Sequence, residues 1–301
     1  MVGYWSMKFI SWLVCIAPKC LNKLVAAGLG KLAWLATPTW RKVMAVENIK
    51  ECLGLPEQRA QAIAKESVER FGRMIVEVLS YPKINLANLP TYVQVEGLAY
   101  LDAAYKQNKG VLLCTGHYGN WEMLGTVVAL LGYPLLSIAR KQNNQGMDAF
   151  INEYRAMTGQ KITYNHGENN MLAINRIVRD KKILGVIYDQ DTGHDGIHTT
   201  LFGKPAVVPP GAAILSRIHG APMLPIFIHN QPDGTLVAKI YPPVYTAKTK
   251  DKTADIRQAM DELIVICEQE IVNDPAMWFW VHDRWKDGRE KYKKTLEGGQ
   301  H

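Results

Sequence analysis

The sequence has little sulfur to staple or to ligate with. Its 301 residues hold five cysteines, at 15, 20, 52, 114 and 267, odd in number and never spaced C-x-x-C. A disulfide scaffold and a zinc ribbon are thereby excluded, and a reducing compartment is expected. No G-x-S-x-G nucleophile elbow occurs. No uninterrupted apolar run reaches the ~20 residues that a spanning helix needs. No segment is repetitive or low in complexity, and a hydrophobic share of 48% is too high for a disordered chain. Acid is scarce at one end: residues 1–50 carry seven basic side chains against Glu47 alone, in a chain of formal net charge +7. That positive charge is concentrated in the most hydrophobic stretch rather than spread over a folded face, so a membrane surface is expected as the partner and nucleic acid is not.

From Phe9 to Trp40 the chain reads FISWLVCIAPKCLNKLVAAGLGKLAWLATPTW. Pro18 divides it. At ~100° per residue, Lys8, Lys19, Lys23 and Lys31 fall on one broad polar face. Trp5, Trp12, Trp34 and Trp40 suit a headgroup boundary. The pattern predicts one or two helices lying in the interface. The rivals are a signal peptide, for which Met7–Ala17 has a short apolar core but no A-x-A cleavage site, and an ordinary buried helix pair. We place a membrane-associating segment at 1–45 and a folded domain at 46–301.

Downstream, Pro56 opens a helix that runs to about Tyr81, with Pro82 as the stop. Strands are predicted at 111–115, 135–139, 161–164, 183–188, 223–229 and 235–241, the last two pairing around the turn QPDG. Helices are predicted between them, with a long amphipathic one at 254–272. Continuous apolar strands alternating with helices predict an α/β sandwich: a mixed, mostly parallel sheet flanked by helices.

In such sheets ligands bind beyond the carboxyl ends of the strands. His117, Arg140, Asp189, Asp191 and Asn230 all follow predicted strands there. The sharpest motif is GHYGNWE, residues 116–122. Its H-x-x-x-x-E spacing lets a histidine at a strand end meet a carboxylate on the first turn of the next helix, provided Gly116 and Gly119 bend the junction. A carboxylate on one ring nitrogen fixes the tautomer and makes the other nitrogen a general base. With no elbow serine, the hydroxyl to be activated would belong to the substrate.

GHYGNWE, DQDTG (189–193), LFGKPA (201–206) and WFWVHDRWK (278–286), with the basic apolar N-terminus and NIKECL (48–53), resemble the lipid A biosynthesis acyltransferases of the lauroyl and myristoyl type. The resemblance covers nearly the whole chain. It implies a glycerolipid-acyltransferase-like sandwich, monotopic on the cytoplasmic face of the bacterial inner membrane, with no metal and no cofactor. It implies transfer of a fatty acyl group from acyl carrier protein (or coenzyme A) to a hydroxyl of a lipid A precursor. On that resemblance His117 is the base and Glu122 its partner. Arg155 binds a phosphate or the thioester oxyanion, and Asp189 or Asp191 holds Arg155. Apart from the resemblance, Arg140 at its strand end could contact sugar phosphates or merely solvent. Two departures stand out: Leu201 replaces the first aromatic of an FFG-like loop, and Asp283 interrupts a pair of basic residues.

Three other readings stay open on sequence. Cys114, three residues before His117, could act as a nucleophile in a ping-pong route. The acids and histidines of DQDTGHDGIH (189–198) could bind a metal in a glycosyltransferase or hydrolase. His117 and Glu122 could merely brace a loop in a membrane-peripheral binding module.

Overall fold

A computed structural model describes residues 2–139, 141–164, 169–192 and 196–286. Three helices come first, α1 (Val2–Ile16), α2 (Lys19–Ala36) and α3 (Thr39–Leu53), broken at Pro18 and Pro38, where a ring in place of an N–H forbids continuation. The long helix α4 (Glu57–Leu79) follows, close to its predicted span. The strands and helices β1 (Val93–Glu96), α5 (Leu98–Lys106), β2 (Val111–Thr115), α6 (Trp121–Leu130), β3 (Leu135–Ala139), α7 (Gln145–Met157), β4 (Lys161–Tyr164), α8 (Asn169–Arg179) and β5 (Ile183–Ile187) then alternate. A hairpin β6 (Ile197–Leu201) and β7 (Lys204–Val208) leads to α9 (Gly211–His219), β8 (Met223–Asn230), β9 (Leu236–Ile240) and α10 (Lys252–Asn273).

Seven of the strands form one sheet in the order β1-β9-β8-β2-β5-β3-β4. Neighbours run parallel except β8 and β9, which pair antiparallel across the QPDG turn. The alternation along β2 divides the interior in two. Leu112 and Cys114 enter one core with α9 and α10, whereas Val111 and Leu113 enter a second with α6 and α7. Helix α4 contributes to both, Ala60, Ile63 and Val68 to the first and Val76 and Leu79 to the second. All five residues of β2 are buried, which is why the strand reads as an unbroken apolar run.

Helix α5, strand β1 and the hairpin β6–β7 have no counterpart in the sequence reading. Strand β1 is four residues long with one fully buried side chain, too short for periodicity to reveal. The hairpin β6–β7 is mostly polar at its start, and its two-residue turn places Phe202 and Gly203 at φ 53° and 69°, the primed geometry that matches strand twist. LFGKPA is therefore a hairpin tip.

The N-terminal helices pack on the domain rather than standing apart from it. Helix α2 crosses α4 so closely that a Cβ on Gly72 would lie 2.3 Å from the Gly30 nitrogen and 2.4 Å from the Ala26 carbonyl oxygen. Helix α1 is held through the Ser11 hydroxyl, which donates to the Leu79 carbonyl at 2.6 Å, and through Lys8, whose ammonium lies 2.8 Å from Glu153 on α7. Lys8 thus leaves the common polar face expected with Lys19, Lys23 and Lys31: a partner on α7 holds it inward. The opposite face of α1, Trp5, Phe9, Trp12 and Ile16 at helical spacing, is exposed, as are Leu21, Leu24, Leu32 and Leu35 on α2. Among the described residues no helix is long and apolar enough to cross a membrane.

Candidate active site

The parallel register of β2 on β5 sets the site. Thr115 pairs with Ile187, so the residues two beyond each strand end, His117 and Asp189, emerge side by side at the carboxyl edge. His117 Nδ1 lies 2.7 Å from Asp189 Oδ1, and the His117 amide donates to Oδ2 at 2.9 Å. Gly116 permits this approach, since a Cβ there would stand 3.2 Å from the Asp189 carboxyl. Gly119, at φ 58°, turns the chain where a Cβ would strike the Ile228 carbonyl at 2.5 Å.

Downstream of the turn, Asn120 caps α6 by accepting the Met123 amide at 3.0 Å while its own amide donates to Glu77 Oε2 at 2.8 Å. A C-terminal segment clamps the other side of the loop: the Gly119 amide donates to the Met277 carbonyl and the Phe279 amide to the His117 carbonyl.

Asp189 is almost wholly buried and takes further bonds from that segment. Trp278 Nε1 donates to Oδ2 at 2.8 Å, and Arg284 Nη2 does so at 3.0 Å. Arg284 Nε also donates to the Asp189 carbonyl at 2.9 Å, so the backbone is pinned as well as the carboxylate. Arg284 is 1% exposed, stacked on Trp278 with its guanidinium carbon 4.1 Å from the ring centroid. Burial alone would raise the Asp189 carboxyl, but the Arg284 charge and the His117 bonds outweigh it and hold the group well below the usual carboxylate range. Asp189 is therefore an ionised acceptor. It draws the proton to Nδ1 and leaves the lone pair of His117 on Nε2. The ring keeps 14% side-chain exposure, rests edge-on against Trp121 at 5.0 Å, and its Nε2 lies 3.0 Å from Gln190 Nε2.

Glu122 is not the partner of His117. On the first turn of α6 it faces α7, where Arg155 donates to it through Nε at 2.8 Å and Nη2 at 2.6 Å. Five residues do not bring 117 and 122 onto one face even through the loop, while β5 delivers a carboxylate straight to the ring. The expected hold of Asp189 on Arg155 is replaced likewise: Glu122 holds Arg155, and Arg284 holds Asp189. Burial would lower the Arg155 guanidinium, but Glu122 reverses this and raises it. Asp191 follows two residues beyond Asp189 and is half-buried. Asn230 ends β8 and its amide donates to Met277 Sδ at 3.2 Å. Arg140 lies outside the described residues.

Arg284 and Trp278 were missed as site residues. A basic residue ahead of lysines is ordinarily solvated, and only the tryptophans of WFWVHDRW, Trp278, Trp280 and Trp285, all packed inward, mark the segment as a buried strap. Next to Arg284, burial and that charge push the His282 imidazole down to about 4.

Cys114 points into the core fully buried, and burial drives its thiol far above the ordinary value, which leaves no thiolate for a nucleophilic route. Of the acids and histidines at 189–198, Asp189 has its oxygens engaged by the donors above, and residues 193–195 lie outside the described residues. Among the described residues, no group of three or more His, Cys, Asp or Glu stands arranged to hold a metal ion.

A sequence model of the family described as bacterial lipid A biosynthesis acyltransferase matches residues 1–287. The chain is similar to a lipid A biosynthesis palmitoleoyltransferase of Escherichia coli (strain K12), 27% identical over 251 residues that cover 82% of this chain and 79% of that protein. It is also similar to a phosphatidylinositol mannoside acyltransferase of Mycobacterium tuberculosis (strain ATCC 25618 / H37Rv), 25% identical over 244 residues, 79% and 75% of the two chains. With a lipid A biosynthesis lauroyltransferase of Escherichia coli (strain K12) the identity is 22% over 283 residues, 92% and 89% of the two.

Proposed function

We propose, from the premise that this chain belongs to the bacterial lipid A biosynthesis acyltransferases and is an acyltransferase, that it moves a fatty acyl group from a carrier-protein thioester to a hydroxyl of a lipid A precursor. His117 is the general base and Asp189 orients it. The observation that carries this reading is the 2.7 Å contact of a buried, ionised Asp189 with Nδ1, which leaves Nε2 basic at the rim of the sheet.

In the proposed step the acceptor hydroxyl gives its proton to His117 Nε2 as its oxygen attacks the thioester carbonyl. The C–O bond forms, the tetrahedral adduct collapses with loss of the C–S bond, and the imidazolium returns the proton to the leaving thiolate. Asp189 stabilises that imidazolium without taking its proton. No acyl-enzyme is needed. Base assistance supplies on the order of 10²–10⁴-fold, and positioning must supply the rest.

Glu122 and Arg155 form a nearly neutral bidentate pair, and we assign them to holding the first turn of α6, with Trp121 on it, against the imidazole. Arg140 and Asp191 are assigned to the acceptor headgroup. Residues 1–45 are the membrane contact and 46–301 carry the chemistry. The exposed stripe of Trp5, Phe9, Trp12 and Ile16, with Lys19, Lys23 and Lys31 exposed on α2, supports seating in a lipid interface without spanning. We place that interface on the cytoplasmic face of the inner membrane.

Products of purified enzyme are to be identified by mass spectrometry, with mixed acyl-thioesters of carrier protein and coenzyme A and a phosphorylated lipid A precursor. One acyl group gained on the precursor is expected. The similarity to a phosphatidylinositol mannoside acyltransferase favours a second glycolipid acceptor, and acylation of that lipid alone would replace the lipid A assignment.

A further inference from the structure

Resting on that reading, we infer that Gln190 is a selectivity residue, whose amide withholds the His117 base from water until an acceptor hydroxyl takes its place. With Nδ1–H committed to the Asp189 carboxylate, His117 Nε2 has only a lone pair to offer. The atom 3.0 Å from it must therefore be the N–H of the Gln190 amide, donating. Gln190 thus occupies the position that the hydroxyl proton needs to reach.

The root of this side chain is fixed and its tip is free. The residue before it is gripped at both carbonyl and carboxylate by Arg284, at 2.9 Å and 3.0 Å, so the backbone at 190 cannot drift from the imidazole. The side chain itself is exposed, and rotation of its outer torsions can clear Nε2 without disturbing the core. An acceptor that brings many contacts displaces the amide, whereas a single water brings only one hydrogen bond to exchange for another.

The reaction withheld is hydrolysis. A water oxygen would bond to the thioester carbonyl carbon as its proton passes to His117 Nε2. The C–S bond would then break and the thiolate would take that proton, leaving fatty acid and thiol.

The test uses the full chain on vesicles, a lauroyl thioester of acyl carrier protein as donor and a phosphorylated lipid A precursor as acceptor. Thiol release is read with a chromogenic reagent, and acyl product by mass spectrometry. Gln190→Met keeps length and shape but donates nothing, and Gln190→Ala removes the cap altogether. Each is expected to raise acceptor-free hydrolysis by roughly 2- to 10-fold, the weight of one solvent-exposed hydrogen bond, and to raise the hydrolysed share when acceptor is present. The His117→Asn/Gln190→Met double variant is expected to lose the added hydrolysis.

Unchanged or lower hydrolysis in both single variants would overturn the inference, as would added hydrolysis that survives loss of His117. If wild type transfers acyl groups and only the partition is unmoved, the selectivity role alone fails. If wild type neither transfers nor releases thiol, the functional reading fails with it.

Discussion

Replacing Asp189 by Asn changes one atom and should disable the site in a defined way. In the native loop an ionised carboxylate accepts the His117 Nδ1 proton at 2.7 Å, and Oδ2 accepts from Trp278 and Arg284. An amide can still satisfy Trp278 and Arg284 with its oxygen. It then presents an NH₂ to Nδ1, and the proton of the imidazole moves to Nε2, where a base needs a lone pair. The expected loss in kcat is on the order of 10³–10⁴-fold, the penalty for the wrong tautomer.

Stability falls as well, because Arg284 loses its counter-charge while buried. Breaking a buried pair costs ~3–5 kcal/mol, and the surviving amide bonds bring this to the lower end. Glu122→Gln is the contrast. It weakens a partly exposed pair with Arg155, worth about 1.5–3 kcal/mol for charged hydrogen bonds, and leaves the His117 tautomer alone. Nitrogen-15 NMR of labelled histidine reads the tautomer directly. Nδ1–H is expected in wild type and in Glu122→Gln, and Nε2–H in Asp189→Asn. A tautomer change in Glu122→Gln with none in Asp189→Asn would refute the assignment of partners.

At the α2–α4 crossing, Gly72→Ala forces backbone atoms 2.3 Å from the new Cβ to move and should lower the urea midpoint by about 2 kcal/mol or more of stability. Gly28→Ala, with open space around its Cβ, should instead stabilise by up to ~1 kcal/mol. Trp5→Ser/Trp12→Ser, on exposed positions of α1, should weaken sedimentation with anionic vesicles by roughly 10- to 100-fold without changing the far-UV spectrum.

The depressed His282 value of about 4 makes folding weaker in acid. Its stabilisation is whole above the unfolded histidine range near ~6.5 and is lost as pH falls towards 4. The side chain is partly exposed, which limits the loss to on the order of 1–2 kcal/mol. Thermal midpoints measured from pH 7 to 4 should fall less steeply in His282→Phe.

Strands buried on both faces announced themselves as apolar runs, so the sheet from β2 to β9 and the helices between were legible to within a few residues. Short or polar elements, β1 and the β6–β7 hairpin, were not, because neither length nor alternation rises above the loops around them. His117 and Asp189 were both visible as strand-end residues. Their union was not, since it depends on β2 and β5 being neighbours in register, and strand order is written in long-range packing. The equal two-residue offset of each emerges only because β5 ends at Ile187, one residue short of the expected strand end. The sequence signal was no more than a chemically capable residue after each strand. Arg284 was hidden for a related reason: a basic residue among lysines reads as solvated until three tryptophans are seen to fold it inward. Lys8 was misplaced by treating the N-terminal helices as unpartnered, when Glu153 on α7 claims it.

The central claim is that a base at residue 117 takes the acceptor hydroxyl's proton. Initial rates of precursor acylation by wild type and by His117→Asn, both shown folded and vesicle-bound, test it most directly. A fall on the order of 10²–10⁴-fold at unchanged membrane binding is the predicted result. Acylation by His117→Asn at the wild-type rate would contradict it.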